Sequence, residues 1–140
     1  MTRLVFDSYA ILAYFLDEHG AGRVQQLLDS RSHERWMTAV NVGETFYIAA
    51  KRSDLVTAEE MLNDVLDLPV QIVEAGFGMT MEAAQLKARY TLSYADCFAA
   101  ALAQQLDAPV VTGDEEFRTL ERAGVIDVEW LPAKDKRSRH

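Results

Sequence analysis

Short apolar runs alternate along this chain with segments of helical periodicity, and that alternation leaves few folds open. The runs are "RLVF", "RWMTA", "PVQIVEA", "PVVT" and "DVEWLP". Between the first two lie "SYAILAYFLDE", with Ile11, Leu12, Phe15 and Leu16 at helical spacing and Ser8 placed to cap it, and "AGRVQQLLDS". "NVGETFYIAAKR", opened by Asn41, and "DLVTAEEMLNDVLDL" follow the second run. "GMTMEAAQLKARY" and the Ala-rich "SYADCFAAALAQQL", opened by Ser93, precede "PVVT", and "EEFRTLERAG" ends at Gly124. Strands separated by helices predict an α/β fold, with a central, mostly parallel sheet of about four to five strands flanked by helices on both faces. Right-handed crossovers join parallel neighbours, and ligand chemistry gathers beyond the carboxyl ends of the strands at a topological switch point.

With 140 residues and no internal repeat or linker, a single domain over residues 1–133 is expected, large enough to bury a core without staples. The net charge of −8 is uneven, because the tail "KDKRSRH", residues 134–140, holds four basic residues against one acid. The body is therefore more acidic than the whole and repels nucleic acid at long range. An RNA or DNA substrate would need local basic groups, the tail or bound cations. The tail itself is expected to be disordered. Asp7 interrupts the apolar N-terminal stretch and no basic region precedes it, so neither signal peptide nor membrane anchor is expected. One cysteine, Cys97, excludes an internal disulfide and suits a cytoplasmic location; on its Ala-rich helix it reads as a small core residue. His19, His33 and His140 have no ligand spacing.

The acids carry the chemistry. Asp7 directly follows the first strand, and Asp114 follows "VVTG". Glu44 and Asp96 lie three residues after Asn41 and Ser93, in the first turns of two helices. If these elements share one sheet edge, four carboxylates converge. Two carboxylates about 4 Å apart repel by roughly 4 kcal/mol at an effective dielectric of 20, so such a group calls for a divalent cation. Oxygen donors without His or Cys suit Mg²⁺ or Mn²⁺. Taken singly, each acid has a plainer role. Asn41-x-x-Glu44 and Ser93-x-x-Asp96 fit capping boxes, Asp7 a strand-end turn, and Glu115 and Glu116 the positive end of the next helix. The joint pattern favours a metal site.

These residues, in this order, resemble the PIN-domain family of metal-dependent nucleases, and within it the VapC-type toxins of toxin–antitoxin pairs. "LVFDSYAILAYFLDE", "TAVNVGETFYIA" and "LKARYTLSYADCFAAALAQQLDAPVVTGDEEF" carry the likeness, which runs from Leu4 to Leu131. The resemblance implies a helix–sheet–helix sandwich with Asp7, Glu44, Asp96 and Asp114 as catalytic acids around one or two Mg²⁺ or Mn²⁺ ions. Glu116 stands where many relatives carry an extra Asp and is a candidate fifth ligand. Ser8 and Thr112 match hydroxyl positions that would hold the acids. The implied activity is single-strand-selective endoribonuclease cleavage of transfer RNA or other structured RNA. The implied partners are a VapB-like antitoxin and a second copy in a homodimer. Lys87, Arg89 and Arg118 are candidates for substrate phosphate, against solvated helix faces as the plainer fate. Tyr9, Leu12, Phe15, Leu27 and Leu28 are candidates for an antitoxin groove, against ordinary core packing.

Two other acid-bearing α/β classes fit poorly. A haloacid-dehalogenase-type phosphatase needs an Asp where Tyr9 stands. A receiver domain needs an Asp after the middle strand and a Lys after a later one, which "PVQIVEAG" and "PVVTGD" lack. The remaining alternatives are a non-toxin PIN nuclease in RNA processing and a metal-free binding module whose acids are caps.

Overall fold

A strand that ends in an acid begins the chain and becomes the centre of the molecule. The computed structural model describes residues 2–132. Its elements are β1 (Thr2–Phe6), α1 (Ser8–Phe15), α2 (Ala21–Asp29), β2 (His33–Thr38), α3 (Ala39–Arg52), α4 (Leu55–Asp67), β3 (Gln71–Val73), α5 (Phe77–Arg89), α6 (Tyr94–Leu106), β4 (Val110–Thr112), a 3₁₀ turn (Glu115–Phe117), α7 (Arg118–Arg122) and β5 (Val128–Trp130). The strands form one sheet in the order β3-β2-β1-β4-β5, and every pairing is parallel. The sheet grows outward from β1 to β3, then crosses back to place β4 on the other side of β1, with Val5 opposite Val110 and Phe6 opposite Val111. The switch point thus lies between the ends of β1 and β4, where Asp7 and the loop to Asp114 emerge.

Alternation along the strands divides the core in two. Leu4 and Phe6 of β1, Met37 of β2 and Val111 of β4 face one core, which Ile11, Val24, Leu27, Leu28, Met61 and Val65 of α1, α2 and α4 complete. Val5 and Val110 face the other, against Leu86, Phe98, Leu102, Phe117 and Leu120. Leu12, Leu27 and Leu28 are therefore spent on core packing, while Tyr9 stays exposed. α6 is buried all round from Asp96 to Ala103, which accounts for its run of alanines: small side chains let α5 and the sheet approach closely. Among the described residues, no helix is long and apolar enough to cross a membrane. The tail at 134–140 lies outside the described residues.

Two helix starts differ from the sequence expectation. α1 is capped by Asp7, whose carboxylate accepts the Ala10 N–H at 2.9 Å; Ser8 is already its first helical residue. α3 begins at Ala39, because β2 runs into it without a loop and Thr38 accepts the Asn41 N–H at 3.0 Å. Asn41 is free for another task. Fully buried, it accepts from the Thr38 hydroxyl and donates through Nδ2 to the Ala95 carbonyl at 3.1 Å, tying the start of α3 to the start of α6. Glu44, pushed past the first turn, has no capping role.

Candidate active site

Asp7 is 1% exposed at the end of β1. Its second oxygen accepts a hydrogen bond from the hydroxyl of Thr112, the last residue of β4. That same hydroxyl oxygen accepts the Asp114 N–H at 2.9 Å, so one threonine fixes both strand-end acids. On α1, the Ser8 hydroxyl donates to Glu44 Oε1 and draws α3 toward the sheet edge. Asp96 sits in the first turn of α6, 4% exposed, below a Ser93 cap that accepts its N–H at 3.2 Å. Asp114 accepts the Glu116 N–H at 2.9 Å and opens the 3₁₀ turn. Carboxylate oxygens of Asp96, Asp114 and Glu116 lie within 4.8 Å of one another. Glu44, Asp96, Asp114, Glu116 and Ser8 line a cleft of about 270 Å³, and Asp7 stands buried behind that lining.

A reciprocal capping box would send the Ser93 N–H to the Asp96 carboxylate. Here that N–H goes to Glu116 Oε2 at 3.2 Å, which leaves Asp96 to face the cleft and fixes Glu116 beside it. The charges are unfavourable as they stand. Burial pushes the Asp7 carboxyl up to about 7, with Asp114 and Glu44 adding repulsion and the Thr112 and Ala10 hydrogen bonds opposing it. Burial pushes Asp96 further, to about 9, helped by the charges of Asp7, Asp114 and Glu44. Two buried carboxyls that resist ionisation, beside three more acids, form an oxygen-only donor set. It fits a hard divalent cation such as Mg²⁺ or Mn²⁺.

The loop carrying Asp114 is also shaped by a neighbour. A Cβ at Gly113 would stand 2.4 Å from Tyr9 Cε1, so the aromatic ring rests directly on that backbone. Gly113→Ala is expected to displace either the ring or the loop. The expected cost is about 1–3 kcal/mol, read as a fall in Tm; an unchanged Tm would show that the ring moves freely.

The three basic candidates do not line the cleft. Lys87 donates to the Leu92 carbonyl at 2.8 Å and pins the loop before α6. Arg89 is exposed in the last turn of α5. Arg118 pairs with Glu115 at 2.8 Å and lies 4.2 Å over the Trp130 ring. Arg52, in the last turn of α3 and not among the sequence candidates, does line it. The signal was there: Glu44, Ile48 and Arg52 recur at i, i+4 and i+8, one face of α3. Tyr9 lines it too. Cys97 is wholly buried and its thiol is pushed up to about 11, chiefly by burial, which suits a core residue and not a nucleophile.

A five-stranded parallel sheet between helices, with an acidic cleft at its switch point, defines the class. The chain belongs to the PIN domain family, whose model matches residues 4–123. No curated protein matches the sequence. Among solved structures, it is similar to VapC20 of Mycobacterium tuberculosis, described as a Sarcin-Ricin loop cleaving toxin, at 16% identity and a TM-score of 0.73 over 89% of this chain and 98% of that one. It is similar to DNA-bound VapBC from Salmonella typhimurium at 17% identity and a TM-score of 0.70, over 94% of this chain and 100% of that one. VapBC2 from Rickettsia felis, bound to a promoter DNA fragment, gives 12% identity and a TM-score of 0.72 over 94% and 100%. At these identities the likeness is one of fold.

Proposed function

We propose that this chain is a Mg²⁺- or Mn²⁺-dependent endoribonuclease and the toxin of a toxin–antitoxin pair, acting in the cytoplasm. The observation that carries it is the convergence of buried Asp7 and Asp96 with Asp114, Glu44 and Glu116 at one sheet edge. Asp7, Glu44, Asp96 and Asp114 would hold one or two ions, with Glu116 as an accessory ligand. When bound, a divalent ion supplies an activated water and charge neutralisation at the phosphate. The chain's own groups do the positioning. Thr112 orients Asp7 and the backbone of Asp114; Ser8 orients Glu44; Asn41 holds α6, and with it Asp96, against α3. Burial and the charges of Asp7, Asp114 and Glu44 favour the protonated Asp96 carboxyl, and a bound cation would favour the ionised one. The solved structures it resembles support the finer reading: one is described as a Sarcin-Ricin loop cleaving toxin, and another as a member of the VapBC family of toxin-antitoxin systems. The same reading includes a VapB-like antitoxin, which the VapBC neighbours support, and a homodimer. Exposed Leu55, Val56 and Leu66 on α4 and Phe77 and Met81 on α5 leave apolar surface for such partners.

The test is direct. Purified protein should cleave single-stranded or looped RNA with Mg²⁺ or Mn²⁺, and EDTA should stop it. Induced expression should slow bacterial growth, whereas Asp7→Ala should not. No cleavage with either ion would end the nuclease reading, and equal growth of the two strains would end the toxin reading.

A further inference from the structure

The acid cleft does not stop at its carboxylates. It runs into a second hollow of about 150 Å³ at the end of α1, and Tyr9, Leu12 and Arg52 line both. Tyr9 marks the boundary. Its ring is seated on the Gly113 backbone, one residue from Asp114, yet the residue keeps 43% of its surface open. Arg52 stands at the shared rim and is the one basic side chain among the described residues that line the acid cleft. Glu18 holds it at 3.3 Å, but the two side chains are 54% and 51% exposed, so the pair is weak and easily exchanged. A partly exposed aromatic ring held against the Gly113 backbone, beside an exchangeable guanidinium, offers what a nucleotide needs: a surface for its base and a donor for its phosphate.

We infer that Tyr9 and Arg52 form a nucleotide subsite next to the acid cluster. Tyr9 stacks an unpaired base of single-stranded RNA, Arg52 donates to the adjoining phosphate, and Glu18 occupies Arg52 until the RNA displaces it. The inference rests on the ribonuclease reading above. It also answers the objection raised by the acidic body, since it places one cation where the strand enters. Single strands are favoured because a duplex base has no free face to offer the ring.

The test measures cleavage of a short 5′-fluorescein-labelled single-stranded RNA with Mn²⁺ over a range of salt. Arg52→Gln is expected to raise KM about tenfold, with the loss in KM and not in kcat. It should also reduce the slope of log KM against log salt by about 0.7, the share of one phosphate on a single strand. Glu18→Gln should act the other way and lower KM about threefold, because it frees Arg52. Tyr9→Leu should raise KM about tenfold while Tyr9→Phe keeps the wild-type value. A merely structural Arg52 would shift Tm and leave the salt slope alone. If the wild type cleaves but KM and salt slope ignore Arg52→Gln and Glu18→Gln, the subsite is wrong and the nuclease stands. If the wild type cleaves nothing with Mn²⁺, both fall.

Discussion

Asp96→Asn should lower RNA cleavage by on the order of 10³-fold while making the metal-free protein more stable. These opposite effects separate the two roles that residue could have. As a cap, Asp96 would stabilise α6, and the amide would cost about 1 kcal/mol. As a buried acid pushed up to about 9 by burial and by Asp7, Asp114 and Glu44, it burdens the fold. Replacing it with a neutral isostere at pH 8 removes that burden, and Tm in EDTA should rise by the equivalent of on the order of 2 kcal/mol. The rise in Tm that Mn²⁺ gives the wild type should vanish in the variant. A lower Tm in EDTA with an intact response to Mn²⁺ would return Asp96 to the capping role.

The second large effect is on pH. Asp7 and Asp96 have ordinary values of 3.8 but are raised to about 7 and about 9 in the folded protein. Between pH 4 and those values, the folded state keeps protons that the unfolded chain has released. The stability these groups contribute is therefore complete below about pH 4 and is lost as pH climbs through 7 and then 9. In EDTA, Tm should fall from pH 6 to pH 9 by the equivalent of on the order of 3 kcal/mol, roughly 10 °C for a domain of this size. Mn²⁺ competes with those protons, so its stabilising effect should grow over the same range. A flat Tm from pH 6 to pH 9 in EDTA would mean the acids are better solvated than their burial suggests.

The architecture was legible because it depends on periodicity. Every apolar run became a strand, and the alternation of faces through Leu4, Val5 and Phe6 follows from a period of two. The fully parallel order goes further than "mostly", and only the return of β4 beside β1 decides it. The helix starts were less legible. Ser8 and Asn41 look like caps in isolation, but Asp7 and Thr38 stand one and three residues earlier and cap first. That local contest freed Ser8 to hold Glu44 and Asn41 to hold α6. The basic groups were least legible. Lys87 and Arg118 are consumed by Leu92 and by Glu115 with Trp130, partners that no local spacing reveals. Arg52 could have been read from its helical face, had the cleft's position been known.

The place of β4 in the sheet carries a consequence for synthesis. Asp7 leaves the ribosome well before its partners, because Thr112 and Asp114 come more than a hundred residues later. β4 must then insert beside β1 before the acids can meet. A growing chain that has β1 through α6 already folded still has no complete site. Whatever chemistry the acids support is therefore silent in the nascent chain until β4 has emerged and paired with β1.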